Sequence, residues 1–176
     1  GTGIGGGIIY KGYLLNVSAE IGHMSIDSEG VKCPCGNIGC LENYASARAM
    51  ISKAVAMLEK GTESLLKECC KGSFYKLTPE DIYLTALDGD MLAREILKYA
   101  VMYLGVGLAN IINILSPEAI ILTGWLINAW NIYIQEAIKE ASRRAFKDLV
   151  DSVKIIPSSL GDDAGIGAAK KRRQFR

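Results

Sequence analysis

Histidine occurs once in this sequence, proline four times and phenylalanine three times, and neither sign of charge is in excess. Twenty Lys and Arg against nineteen Asp and Glu leave a formal net charge of +1. That balance removes any global electrostatic case for a nucleic-acid or membrane-surface protein. No uninterrupted run reaches the ~18 apolar residues a membrane span needs. The longest apolar region, "YLGVGLANIINIL", is broken by Gly105, Gly107, Asn110 and Asn113. No signal-type segment opens the chain, so the expected location is cytoplasmic. The five cysteines are odd in number and three crowd into residues 33–40, which argues against a secreted disulfide framework. There is no internal repeat and no low-complexity tract. The chain opens on Gly1 in "GTGIGGG", without a methionine or a lead-in strand, and so reads as a C-terminal fragment.

What is present is a well-provisioned α/β domain. Hydrophobic residues make up 49% and charged residues 22%, enough for a core under an ordinary surface. "IGGGIIYKGYLLNV" reads as a hairpin: Ile4 to Tyr10, a Lys11-Gly12 turn, and a return over Tyr13 to Val17. Residues 18–40 form a long loop with no period, and such loops are usually functional. Helical spacing predicts a helix from Glu42 to Lys60 ended by Gly61, and a shorter one from Thr62 to Lys71. "LTPED" predicts a helix start with Thr78 as cap and Pro79 in the first position. Asp88 or Asp90 caps the next helix, whose apolar stripe runs from Leu92 to Leu115. "PEAIILTG" reads as a buried strand, residues 127–147 as helix, "SVKIIP" as a second strand, and "GDDAGIGAAKKR" as the start of a last helix. Strands alternating with helices indicate an α/β layered domain. The basic end "KKRRQFR" reads as a solvated helix terminus, where cations suit the dipole.

The richest stretch is "EIGHMSIDSEGVKCPCGNIGCLE", residues 20–42. It holds the one histidine, three cysteines and two flanking glutamates. His23, Cys33, Cys35 and Cys40 make the four-donor set of a closed structural zinc site, one that holds a loop and activates no water. Gly36, Asn37 and Gly39 allow the tight turns such a site needs. The competing reading, reduced cysteines in a loop, leaves thiols exposed to oxidation. Cys69 and Cys70 read as ordinary packing cysteines. Glu20 and Glu42 could accept from paired sugar hydroxyls. By spacing alone they equally suit surface charge or, for Glu42, a first helical turn. "GTGIGGG" could bring backbone N–H groups to a phosphate with help from Thr2, or could serve close packing. It is neither a Walker loop nor a dinucleotide fingerprint. Gly124 in "ILTGW" follows a strand where open α/β sheets bind ligands, which also suits a simple turn.

Taken together and in order, "GTGIGGGII", "EIGHMSID", "CPCGNIGCLENYAS", "YLGVGLANIINILSPEAIILTG" and "GDDAGIGAA" resemble the ROK family of repressors and sugar kinases. The resemblance implies the actin/hexokinase/Hsp70-like (ribonuclease H-like) fold, with residues 1–176 as the C-terminal, larger lobe and the first lobe absent. It implies zinc on His23, Cys33, Cys35 and Cys40, and sugar contacts from Glu20, His23 and Glu42. "GTGIGGG" becomes a phosphate loop (Thr2, Gly3, Gly5, Gly6), and Gly124 lies at the adenosine turn. ATP and Mg²⁺ are then ligands of an ATP-dependent kinase for glucose or an N-acylhexosamine. The alternative the resemblance offers is the effector-sensing domain of a sugar-responsive repressor, which would meet operator DNA through a domain outside this chain. "GHMSID" and "YASARAM" lean that way. Dimers or tetramers are expected, with residues 163–176 packing toward the first lobe. The family's catalytic aspartate does not occur here, so this chain alone is expected not to transfer phosphate. Two further departures matter: Gly124-Trp125-Leu126 stands where the family often has three glycines, and Ala19 stands where it usually has glycine.

Overall fold

The computed structural model describes residues 3–70 and 72–159, with the backbone alone at 125 and 126. The expected last helix, residues 163–176, lies outside them.

Strands β1 (Ile9–Tyr10) and β2 (Tyr13–Leu14) form an antiparallel hairpin. Its turn residues Lys11 and Gly12 have φ of 50° and 79°. Two positive φ values in succession match the right-handed twist of the strands. The regular ladder is shorter than the sequence pattern suggests, although Leu15 N–H still donates to the Ile8 carbonyl at 2.8 Å. After the loop come α1 (Glu42–Ala45) and α2 (Ala47–Glu59), where one continuous helix was expected. Ser46 divides them. Its backbone is extended (φ −81°, ψ 161°), and its hydroxyl accepts from Ala49 N–H at 3.1 Å as the cap of α2. The break frees the Ala45 carbonyl, which the buried Tyr133 hydroxyl satisfies at 2.9 Å.

The expected helix over 62–71 contracts to α3 (Leu66–Cys69). α4 (Pro79–Leu87) starts as its sequence predicts, with a reciprocal capping box between Thr78 and Asp81. α5 (Met91–Leu115) is the central element, capped by Asp90, with α4, α6 (Gln135–Ser142), α1 and α2 packed around it. By length and composition α5 meets the criterion for a membrane span, contrary to the run-based reading. Half of its most apolar stretch is buried inside the fold, as in the core helix of a packed domain. Strands β3 (Ala119–Leu122) and β4 (Lys154–Pro157) pair in parallel, with Ile120 opposite Ile155. β3 is not the fully buried strand expected. Ile120 and Leu122 face the core, while Ile121 is 58% exposed, since among the described residues β4 is its one neighbour. Between β3 and α6 the backbone makes a 3-10 turn (Trp125–Ala129) and a π turn (Trp130–Ile134). α7 (Lys147–Val150) follows a break at 143–146. Two β units alternating with helices give the α/β class expected.

Asp90 ties three segments together. One carboxylate oxygen accepts from Ala93 N–H at 2.8 Å and from the Ser64 hydroxyl at 2.9 Å, and the other from Leu65 N–H at 2.8 Å. Burial alone would raise this carboxyl, but those donors outweigh it and hold it below the usual carboxylate range. Asp90→Ala should therefore lower unfolding free energy by about 1–3 kcal/mol, measured by denaturant titration. A depressed folded-state pKa contributes stability above the ordinary carboxylate value and loses it as pH falls. The native chain should thus lose more stability than the alanine variant between about pH 5 and pH 3.

Candidate functional site

The loop of residues 18–40 owes its shape to backbone constraints. Ala19 sits in the left-handed region at φ 47°. Glu20 follows with φ −74° and ψ 59°, and Ile21 N–H donates to the Ala19 carbonyl at 2.8 Å, an inverse γ-turn centred on Glu20. A 3-10 turn, Ile21–His23, then carries His23 forward. Two isolated bridges, Ser25 with Cys40 and Lys32 with Ile38, close the loop on itself. Gly39 lies at the inner crossing. Its φ is 70°, and a Cβ there would stand 1.7 Å from the Asp27 carbonyl oxygen, so no side chain fits. The Tyr44 hydroxyl donates to Asp27 Oδ2 (3.2 Å) and accepts from Val31 N–H (2.9 Å), which pins the outer strand of the loop to α1.

This folding collects His23, Cys33, Cys35 and Cys40, with one donor atom of each within 4.8 Å of the others. Cys33 Sγ stands 3.7 Å from His23 Nδ1, and Cys35 Sγ 3.6 Å from Cys40 Sγ. Tetrahedral zinc with bonds of about 2.3 Å to sulfur places neighbouring ligands about 3.8 Å apart, so the set fits that ion. The thiol chemistry agrees. The Cys35 backbone amide, aided by Cys35, Cys40 and His23 side chains, lowers the Cys33 thiol to about 6 against the effect of burial. Burial, with Cys33 and Cys35 nearby, pushes Cys40 up to about 12. A divalent cation would take these sulfurs as thiolates and release their protons.

Glu42, the first residue of α1, lies at the edge of this pocket. Its Oε1 is 4.0 Å from His23 Nδ1 and 3.4 Å from Arg48 Nη2, and its side chain is largely buried. The glycine segment reaches the same carboxylate: a Cβ on Gly3 would stand 2.7 Å from Glu42 Oε2. Gly6 is packed equally tightly against Ile21, while nothing comes within 4 Å of Gly5. A side chain at Gly3 or Gly6 would thus meet Glu42 or Ile21, while one at Gly5 would meet nothing within 4 Å. Thr2 lies outside the described residues, as does the question of what the Trp125 side chain does. Glu20 is exposed, its side chain caps nothing, and among the described residues it makes no ion pair. Gly124 follows β3 with φ 90° and ψ −173°, a conformation essentially reserved for glycine, and its surroundings are open. Cys70 is buried, donating to the Leu66 carbonyl, and all five cysteines are free thiols. Arg48 was not apparent in the sequence. It lies six residues past Glu42, outside helical pairing distance, and reaches it because Ser46 breaks the helix.

An α/β domain of this kind, with four potential metal ligands beside a largely buried glutamate, has ROK-family proteins of the actin/hexokinase-like fold as its structural neighbours. The sequence matches the ROK family over residues 1–172, and the chain belongs to that family. It is 36% identical over 167 residues to the xylose repressor of Bacillus subtilis, covering 93% of this chain and 39% of that one. It is 34% identical over 174 residues to the glucokinase of Thermotoga maritima, covering 96% and 55%. Among solved structures, a ROK family glucokinase from Streptomyces griseus in complex with glucose and AMPPNP superposes with a TM-score of 0.80. That match has 30% identity and covers 99% of this chain and 58% of that one. The chain therefore spans about half, or less, of the length of these relatives.

Two substitutions test the loop. Left-handed backbone costs a non-glycine residue about 1–2 kcal/mol, of which glycine's extra unfolded freedom returns up to about 1. Ala19→Gly should therefore raise stability by roughly 0.5 kcal/mol, read as a shift in denaturation midpoint. Gly39→Ala should destabilise the chain and disorder the loop, seen as lost dispersion of the loop amide resonances.

Proposed function

We propose that this chain is the C-terminal, sugar-binding lobe of a ROK-family protein, with a zinc-ordered loop that aims its recognition groups. The observation that carries this reading is that one imidazole borders both halves of the site. His23 Nδ1 stands 3.7 Å from Cys33 Sγ and 4.0 Å from Glu42 Oε1. With Nδ1 on the metal, Nε2 is left to meet a ligand hydroxyl, and a metal-bound imidazole requires such a second partner. The zinc, with all four positions filled by His23, Cys33, Cys35 and Cys40, supplies rigidity and no activated water. Glu42, held by Arg48, and Glu20, presented by its γ-turn, accept hydroxyl hydrogens.

In the complete protein we assign this lobe to an ATP-dependent kinase for glucose or an N-acylhexosamine, supported by its near-complete superposition on the Streptomyces griseus glucokinase. Thr2, Gly3, Gly5 and Gly6 would hold phosphate and Gly124 the adenosine of Mg·ATP, while a carboxylate outside this chain would take the hydroxyl proton. A specific observation favours the second reading, a sugar-sensing lobe of a repressor that binds operator DNA through another domain. Gly124-Trp125-Leu126 departs from the family's glycine run, and the Bacillus subtilis xylose repressor is 36% identical. Both readings place the protein in the cytoplasm, which suits five free thiols, and as a dimer or tetramer.

Elemental analysis should find one zinc per chain, and chelation should lower the melting temperature. Cys35→Ser, at the exposed ligand, should reduce zinc retention without opening the core. Glu42→Gln in the intact protein should weaken hexose binding by roughly 10–100-fold in calorimetry, the cost of one charged hydrogen bond. A coupled assay over a hexose panel is expected to show turnover. Sugar-sensitive operator binding without turnover would transfer the assignment to the repressor reading.

A further inference from the structure

Glu42 and Arg48 also border a second space, a cavity of about 370 Å³ that none of the four metal-pocket residues lines. Lys32, Arg48 and Lys53 bring three cations to its wall, and Glu42 is its one carboxylate, so positive charge dominates. Lys53 is held in place: its Nζ lies 3.6 Å above the centre of the Tyr99 ring, a cation–π contact. Among the described residues neither Lys32 nor Lys53 forms an ion pair.

A guanidinium fork and two ammonium groups around one space form a donor-rich wall with a surplus of positive charge. A phosphate group answers it, with several acceptor oxygens and a double negative charge. The volume falls in the range of small-molecule sites and leaves room for more than a bare ion. We propose that this cavity binds a small phosphorylated molecule by its phosphate, held by Arg48, Lys53 and Lys32. Arg48 then serves two anions, the ligand and Glu42. The proposal does not depend on how Glu42 is used, and the probes below carry no sugar.

The test is calorimetric titration of the intact, zinc-loaded protein with inorganic phosphate and with glycerol 3-phosphate, against sodium chloride of matched ionic strength. Saturable binding of at least one phosphate probe is expected. Lys53→Gln, a half-buried position on the surface of α2, should weaken it at least tenfold with zinc content and circular dichroism unchanged. Arg48→Gln should do the same, and Lys139→Gln, on exposed α6, should leave it unaltered. No saturable binding beyond the chloride control overturns the proposal. So does equal affinity in a Lys53→Gln protein that is folded and zinc-loaded.

Discussion

Leu41 seated against Gly107 is the contact on which the rest of the site depends. Leu41 is 1% exposed and stands between Cys40, a metal-pocket residue, and Glu42, the glutamate at its edge. A Cβ on Gly107 would lie 2.6 Å from a Leu41 methyl, so the helix backbone itself is the floor of the leucine's seat. A glycine inside a helix costs roughly 1 kcal/mol against alanine. Burying a leucine side chain contributes about 1.5–3 kcal/mol, so the exchange favours the seat. One apolar contact thereby fixes a cysteine sulfur and a carboxylate relative to the longest rigid element of the fold. Gly105 performs a parallel service on the same helix, letting α6 approach so closely that a Cβ there would meet Glu140 and the Ala137 carbonyl.

Much of this was visible in the sequence, and the residues explain which parts. Caps are local, so Thr78, Pro79 and Asp81 announced α4, and Asp90 was one of two candidates for α5. The metal set was visible because its chemistry demands four donors and the loop offers four. The helix break at Ser46 was not visible, since Ala47, Met50, Ala54, Val55 and Leu58 keep helical spacing with the residues before it. The carbonyl that the break releases, that of Ala45, is met by a residue distant in sequence, the Tyr133 hydroxyl. The pairing of Arg48 with Glu42 was hidden for the same reason. The exposure of β3 was misread because an unbroken apolar run signals two covered faces, and here one is open. The roles of Gly3 and Gly6 stayed undecided in the sequence, because glycine permits both ligand approach and packing, and the neighbours Glu42 and Ile21 are visible only in the fold.

The site separates tasks that a simpler loop would mix. Order comes from the metal pocket and from Asp27, Val31 and Tyr44. Polarity comes from Glu42 and Arg48, placed at its edge. Such a partition lets a family keep the scaffold while changing the output, which is consistent with this chain resembling both a glucokinase and a xylose repressor over nearly the same residues.

The π turn at Trp130–Ile134 has its own consequence. A turn that closes over five residues rather than four carries one surplus residue, about 100° of helical rotation. Tyr133 and Ile134 within it and Ala137 and Ala141 beyond it are all buried in the core. A residue gained or lost here is absorbed by widening or tightening one turn, and neither β3 nor α5 has to shift its register to accommodate it.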